Sequence, residues 1–209
     1  MQPPPPSPAV PHRRDRGLRM GLSSLLVGLA FSVTAQELRF NIFKGDTEVG
    51  SIRALRSVKA GRTSYMIVSQ AELTLLWKQV VHTRMQAEYE AGLLRGCHSS
   101  VTLNGTLRDS SYLSMHQGER WAYVHPRTPY RLHSSNTWTT ARMYYEEPIG
   151  RSSILVESVL QDCPIRRTGP GRYEVTLPNN DRNRYTYVNG KLMEVHVDRL
   201  LINLVFRRA

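Results

Sequence analysis

The stretch Asn183–Val197, NRYTYVNGKLMEVHV, decides the fold class of this chain because it encodes a complete β-hairpin. Asn189-Gly190 lies at its centre, and an Asn-Gly pair supplies the two positive φ angles that a two-residue hairpin turn requires. Aromatic and β-branched residues, which favour strands, flank the turn on both sides. Folding the stretch about this turn predicts that Tyr187 lies opposite Leu192 and that Thr186 lies opposite Met193.

Both faces of this predicted hairpin contain apolar residues. Tyr185 and Tyr187 fall on one face, and the register above places Met193, Val195 and Val197 on the other. Apolar residues on both faces are typical of strands that are covered on both sides. The sequence therefore predicts a hairpin inside a larger β structure.

The same period of two residues recurs along the chain. ELRFNIF (37–43) alternates apolar and polar residues, VHTRMQAEYE (81–90) does so over a longer run, and Ser64–Leu73 is another β-rich segment. This alternation is typical of strands that have one buried and one solvated face. Turns are predicted at Lys44-Gly45-Asp46 and Asn104-Gly105, and a last strand at Leu200–Phe206.

Helix signals are few, and the best lies over residues 136–145. Asn136 or Thr137 can cap its start, and Pro148 ends it, which predicts a short helix over Asn136–Tyr145. The expected fold is mainly β: a single strongly curved antiparallel sheet, or half-barrel. One or two short helices, the first near residues 137–146, pack in its concavity.

Residues 1–35 have the composition of a leader rather than of a folded domain. A Pro- and Arg-rich stretch precedes the mostly apolar run Met20–Ala35, which ends in Val33-Thr34-Ala35. A basic flank, a short apolar run and small terminal residues are typical of a secretory signal peptide. We therefore predict export to the periplasm or the medium, cleavage after Ala35 and a single β-rich domain over residues 36–209. Either Met1 or Met20 fits as the start.

The charge of the chain restricts its partners. Loss of the leader removes four arginines and Asp15, which lowers the formal net charge from +11 to +8. A positive charge suits nucleic acid, an anionic membrane surface or simple solubility. Export argues against nucleic acid, and the absence of a long apolar segment in residues 36–209 predicts at most a peripheral contact with membrane.

The two cysteines, Cys97 and Cys163, are candidates for a disulfide, because an oxidising compartment permits one. Two separate buried thiols are the alternative. The seven histidines show no paired ligand spacing, so we predict no metal site, and no motif for a cofactor is present.

The most distinctive segment is WTTARMYYEEPIG (Trp138–Gly150), in which aromatic rings and carboxylates are concentrated. Adjacent glutamates, Glu146 and Glu147, do not point at one substrate on a helix or a strand, and no nucleophile motif is present. We therefore assign no catalytic residue and expect a structural plug. Candidates for binding an apolar or sugar ligand are Trp138, Tyr144, Tyr145, Glu146, Trp77 and Trp121.

Three segments carry a resemblance to a known family: FNIFKGDTEVGSIRALR (40–56), MYYEEPIGRSSILVES (143–158) and GRYEVTLPNNDRNRYTYVNGKLMEVHV (171–197). The chain resembles a family of secreted bacterial proteins known only as a domain of unknown function, DUF6134. Its strand order is more remotely similar to the periplasmic lipoprotein-carrier-like (LolA-like) fold, which implies a curved sheet able to hold acyl chains. Fold alone does not establish function.

These observations predict an exported envelope protein that binds an apolar or amphipathic component, such as a lipid, without catalysis. Two alternatives stay open. One is a hydrolase-like enzyme that uses a tyrosine and a glutamate of residues 138–150. The other is an envelope scaffold that binds another protein through a sheet edge.

Overall fold

The computed structural model of the chain describes residues 34–74, 77–199 and 202–209. The predicted leader lies outside the described residues, except for Thr34 and Ala35, which begin the first strand. Within the described part, antiparallel strands account for nearly all regular structure, as the period of two predicts.

Fourteen strands and one helical turn are present in the described part. They are β1 (Thr34–Lys44), β2 (Thr47–Lys59), β3 (Arg62–Thr74), β4 (Lys78–Glu90), β5 (Leu93–Leu103), β6 (Thr106–His116), β7 (Glu119–Val124), β8 (Tyr130–Arg131), α1 (Thr140–Met143), β9 (Ser153–Val156), β10 (Gln161–Gly169), β11 (Arg172–Thr176), β12 (Arg182–Val188), β13 (Lys191–Asp198) and β14 (Asn203–Arg208).

All fourteen strands belong to one sheet, in the order β8-β7-β6-β5-β4-β3-β2-β1-β14-β13-β12-β11-β10-β9. The first and last strands of the described chain, β1 and β14, pair in its interior, with Ile42 opposite Phe206. β8 and β9 are the two edges and are not paired with each other, so the sheet is not closed into a barrel.

One face of the sheet forms the hydrophobic core. In β1 the buried residues are Leu38, Phe40 and Ile42, the three that the alternation of ELRFNIF assigns to one face. Burying a side chain as fully as that of Phe40 stabilises the fold by about 1.5–3 kcal/mol. The same face carries the buried residues of the other long strands.

The 183–197 hairpin forms as predicted, but its register differs by one residue beyond the turn. Tyr187 does lie opposite Leu192, whereas Thr186 lies opposite Glu194, because an extra residue, Met193, bulges from β13. A shift of one residue moves side chains to the other face of a sheet. Tyr185 and Val195 therefore share the buried face, Met193 is exposed, and the expectation of two apolar faces is wrong.

The predicted helix over Asn136–Tyr145 is much shorter in the structure. Trp138 and Thr139 are held as extended chain, because Leu155 donates its N–H to the Trp138 carbonyl at 2.7 Å and Thr139 forms a parallel bridge with Leu155. Only Thr140–Met143 is helical. Similarly, the last strand begins at Asn203 rather than at Leu200, which lies outside the described residues.

Candidate functional site

The plug segment, Trp138–Gly150, lies against the buried face of the sheet. Its helical turn contacts β3, β4 and β9. Thr139 caps the turn: its backbone is extended, and its hydroxyl accepts a hydrogen bond from the Arg142 N–H at 3.4 Å. Trp138, Met143 and Tyr144 are buried, so the segment does fill the core side of the sheet.

A fully buried carboxyl group, that of Glu157, holds the start of this turn. Its Oε1 accepts the Ala141 N–H at 2.8 Å, and its Oε2 accepts the Thr140 N–H at 3.1 Å and the Thr140 hydroxyl. Burial raises the pKa of this carboxyl, although the hydrogen bonds from Thr140 and Ala141 lower it in part. The sequence does contain a signal for this residue, a lone acid at the end of the apolar run Ile154–Val156, but Glu157 is not among the predicted site residues.

Tyrosine hydroxyls from the sheet bind the plug segment at several points. Tyr187 donates to the Met143 carbonyl at 2.7 Å, and Tyr89 shares a hydrogen bond of 2.9 Å with the Thr139 hydroxyl. Both pairs are buried, and a buried polar atom that loses its partner costs about 1–3 kcal/mol. These bonds fix both ends of the helical turn to β4 and β12.

The adjacent glutamates bond to different tyrosines. Tyr65 donates to Glu146 Oε1 at 2.9 Å, and Tyr173 donates to Glu147 Oε1 at 2.8 Å. The other oxygen of Glu146 accepts two hydrogen bonds from Arg142, at 2.9 and 2.7 Å. Each carboxylate therefore has a structural partner, and the two do not converge on one point.

Arginines cover the tryptophan of the plug segment. The guanidinium of Arg142 lies 4.3 Å from the centre of the Trp138 ring, and that of Arg151 lies 4.8 Å from it. A guanidinium over an indole ring is a favourable cation–π contact. Trp138 is also only 6% exposed, so little of its ring is accessible to a ligand.

The tyrosines of this region are poor nucleophiles. Burial, together with the charge of Glu146, raises the pKa of Tyr65 to about 12. Burial also raises the pKa of Tyr144 and Tyr145. A tyrosine with a raised pKa stays protonated and acts as a hydrogen-bond donor at neutral pH.

The six predicted ligand-binding residues do not form one site. Trp138 and Tyr144 are core residues, and Tyr145 is half-buried with its hydroxyl donating to the Gln36 carbonyl at 3.2 Å. Trp77 is 61% exposed beside the start of β4, and Trp121 lies on the outer face of β7. Glu146 is bonded within the plug segment, as described above.

The cysteines are free thiols in the structure rather than a disulfide. Cys97 on β5 packs beside Ala87 and Leu113, and Cys163 on β10 lies opposite Ile154. Both are buried, and burial raises the pKa of each; for Cys163 the value reaches about 11. The structure thus has two separate buried thiols, the alternative to a disulfide. Each thiol packs against residues of the adjacent strands.

The two ends of the sheet approach each other without forming a strand pair. Tyr130 on β8 donates to the Leu160 carbonyl at 3.4 Å, and Ser134 donates to Asp162 at 2.8 Å. Between these ends lies an open groove of about 960 Å³, here called the seam groove. It is lined by Arg127, Thr128, Tyr130, Arg131, Leu132, His133, Ser134, Leu160, Gln161 and Asp162.

A second, smaller depression of about 360 Å³ shares Arg131, Leu132 and Ser134 with the seam groove. None of the six predicted ligand-binding residues lines either depression. Among residues 34–74, 77–199 and 202–209, no group of three His, Cys, Asp or Glu side chains is placed to hold a metal ion. Nor does that part of the chain contain a helix that is long and apolar enough to cross a membrane.

These features define the class of the protein: an all-β domain with one long antiparallel sheet that closes only partly. Among solved structures it is similar to a β-barrel-like protein of the domain of unknown function DUF1849 from Brucella abortus. The match has a TM-score of 0.51 and 9% sequence identity, and it covers 86% of this chain and 98% of that one. At this identity the likeness concerns the fold alone.

The family is shown by sequence. The model of the domain of unknown function DUF6134 matches residues 40–209, and the chain belongs to this family. The resemblance carried by residues 40–56, 143–158 and 171–197 is thereby confirmed. A search of curated proteins finds no significant match.

Truncation of a plug aromatic tests the structural role of the segment. The ring of Tyr144 is buried and meets Phe40 edge-on, with ring centres 5.4 Å apart. We expect Tyr144→Ala to lower the free energy of unfolding by about 3–5 kcal/mol. Glu146→Gln keeps one acceptor oxygen but loses the charge and the second acceptor, so it should cost about 1 kcal/mol, less than Tyr144→Ala. Denaturant unfolding of both variants and of the wild type measures these changes in the free energy of unfolding.

The matched control is Tyr112→Ala, because Tyr112 is 53% exposed on the outer face of β6. This variant should unfold close to the wild type. A Tyr144→Ala variant as stable as the wild type would show that the plug does not support the fold.

The buried carboxyl predicts a specific pH dependence. The pKa of Glu157 in the folded chain is raised above its usual value of 4.5, so the folded state keeps a proton that the unfolded state releases as pH rises. Stability from this group is therefore present at low pH and falls as pH rises above about 4.5, by at most about 1.4 kcal/mol per pH unit. Glu157→Gln should be less stable than the wild type at pH 4, and the difference should shrink toward pH 7.

The control for this prediction is Glu37→Gln. The hydrogen bond from Arg39 lowers the pKa of the exposed Glu37, so its small contribution has the opposite sign and grows as pH rises. Unfolding curves of the wild type, Glu157→Gln and Glu37→Gln between pH 3 and pH 7 give the differences in the free energy of unfolding. A Glu157→Gln difference that widens with pH would show that Glu157 is ionised in the folded state.

Proposed function

We propose that the protein is an exported, non-enzymatic binding protein and that its apolar or amphipathic ligand occupies the seam groove. The observation that carries this proposal is the groove itself. Its volume of about 960 Å³ is at the upper end of the range for small-molecule sites, and its lining is more apolar than polar.

The groove residues suit a ligand that has an apolar part and a polar part. Tyr130, Leu132 and Leu160 provide apolar contact, whereas Arg127 and His133 provide polar groups at the exposed rim. In this proposal the sheet is the strongly curved half-barrel expected from the sequence, with the plug segment in its concavity. The ligand then binds at the seam, because the plug already occupies the buried face.

The hydrolase-like alternative has weaker support. It needs a tyrosine and a glutamate of residues 138–150 to face a substrate together. Glu146 and Glu147 instead bond to Tyr65 and Tyr173, and neither glutamate lines the groove.

The scaffold alternative rests on the edge strand β8. This strand has two residues and pairs on one side only, with β7. Leu132 continues the pairing through its N–H, which donates to the Arg120 carbonyl at 2.8 Å. An extended segment of another protein could add to the free side of β8, as in other cases of β-strand addition.

Native mass spectrometry of the chain purified from its own cell envelope tests the ligand directly. We expect the wild type to carry a small apolar or amphipathic molecule. Leu132→Glu puts a charge into the groove and should remove it, whereas the matched change Leu107→Glu, at an exposed β6 position outside the groove, should not. Thr128→Trp, which blocks the groove from an exposed position, keeps the test valid if Leu132→Glu unfolds.

Two outcomes oppose the ligand proposal. A wild-type protein that carries no small molecule but co-purifies with a polypeptide, lost in Thr128→Trp, would favour the scaffold alternative. A bound small molecule that all three variants retain would place the ligand elsewhere.

Export has its own test. We expect the mature chain to begin at Gln36, so that cleavage removes the exposed first positions of β1, Thr34 and Ala35. N-terminal sequencing of protein from fractionated cells measures this. Recovery of a folded chain that still contains residues 1–19 would overturn the proposal of a cleaved leader.

A further inference from the structure

A row of aromatic and imidazole rings crosses the outer face of β5, β6 and β7. His98 lies opposite Tyr112, and Tyr112 lies opposite Tyr123, so three neighbouring strands each place one ring in the row. The His98 and Tyr112 rings are 6.5 Å apart. His125 extends the row and shares a 3.1 Å hydrogen bond with the Tyr123 hydroxyl.

The row faces solvent rather than the core. Leu113, next to Tyr112 in β6, is buried, so Tyr112 belongs to the opposite, outer face, where it is 53% exposed. Trp121 lies beside the row on the same outer face of β7 and is 38% exposed. A contiguous exposed patch rimmed by polar residues marks an interaction site, whereas single exposed rings need no explanation.

The neighbours of the row on the outer face are polar and partly charged. Arg131 lies opposite Trp121 and forms an ion pair of 2.5 Å with Glu119, and Arg84 lies opposite Ser100. Other outer-face neighbours of the row include Ser100 and Ser110, which lie opposite each other, and Ser114, which lies opposite Trp121. Elsewhere the outer face is rich in ion pairs, such as Arg53–Glu37 on β1 and β2, Arg166–Glu174 on β10 and β11, and Arg207–Glu194 on β13 and β14. The row itself thus consists of rings and neighbouring hydroxyl groups, and the Arg131–Glu119 pair beside it adds no net charge.

We infer that this row, His98, Tyr112, Tyr123 and His125 with Trp121, binds a neutral saccharide chain. Ring faces stack on the apolar C–H faces of sugar rings, while tyrosine hydroxyls, imidazole nitrogens and serine hydroxyls can bond to sugar hydroxyls. An anionic polymer would favour unpaired lysine or arginine along the rings, but the row contains none and the adjacent Arg131 is paired with Glu119. An apolar protein partner would favour aliphatic residues, which the row also lacks.

The strand geometry indicates how the chain would lie. Neighbouring strands are about 4.8 Å apart, so rings on three adjacent strands form a line perpendicular to the strands. A linear saccharide would therefore cross β5, β6 and β7. None of the five row residues lines the seam groove, so this site does not depend on the proposed ligand there.

Calorimetric titration of the full chain tests this inference. The probes are a hexamer of β-1,4-linked N-acetylglucosamine and a hexamer of β-1,4-linked glucose, with polygalacturonate as the anionic comparison. We expect at least one neutral hexamer to bind, and Tyr112→Ala and Trp121→Ala each to weaken its affinity at least tenfold. The control Val188→Ala, at a 53% exposed position on β12, should change it by less than threefold.

The exposed positions of Tyr112 and Trp121 make these changes compatible with folding, and thermal unfolding of each variant verifies this. Tyr112→Phe should retain more affinity than Tyr112→Ala, because it keeps the stacking surface. The inference is overturned if neither neutral hexamer binds, if only polygalacturonate binds, or if Tyr112→Ala and Trp121→Ala bind like the wild type.

Discussion

The fold depends on how the plug segment is held against the buried face of a sheet that does not close. A closed barrel fills its interior from its own strands, whereas this open sheet needs a separate segment to cover part of its apolar face. A helical turn of four residues has almost no stability of its own. The Glu157 carboxyl, by accepting the N–H groups of Thr140 and Ala141, supplies the partners that such a turn lacks at its start.

The tyrosines complete this arrangement because each combines a buried ring with a hydroxyl. Tyr65, Tyr89, Tyr173 and Tyr187 come from four different strands and bond to four different residues of the plug segment. A phenylalanine at these places would pack as well but would leave buried acceptors without partners. The concentration of tyrosine and glutamate that looks catalytic in the sequence is therefore explained by the need to fix one irregular segment.

Local sequence predicts those parts of the structure that local forces determine. The alternation of residues 37–43 and 81–90 predicts their strands and their buried faces, and Asn189-Gly190 predicts its turn. Ala60-Gly61 and Ala91-Gly92 form turns with the same positive φ angles, but alanine gives no turn signal comparable to asparagine. The bulge at Met193 and the shortened helix were not predictable in this way, because distant partners, Arg207 opposite Glu194 and Leu155 beside Trp138, determine them.

The candidate site was harder to predict than the fold for a related reason. Aromatic residues on a period-two strand can lie on either face, and only the assembled sheet separates Tyr89, which is core, from Tyr112, which is exposed. The buried face is already filled by the plug segment and its bonds. The surfaces proposed for a partner therefore lie at the seam between the sheet ends and on the outer face, where β5, β6 and β7 present a row of rings. Within the described residues, a partner could reach the buried face only if the bonds that hold the plug segment there were first broken.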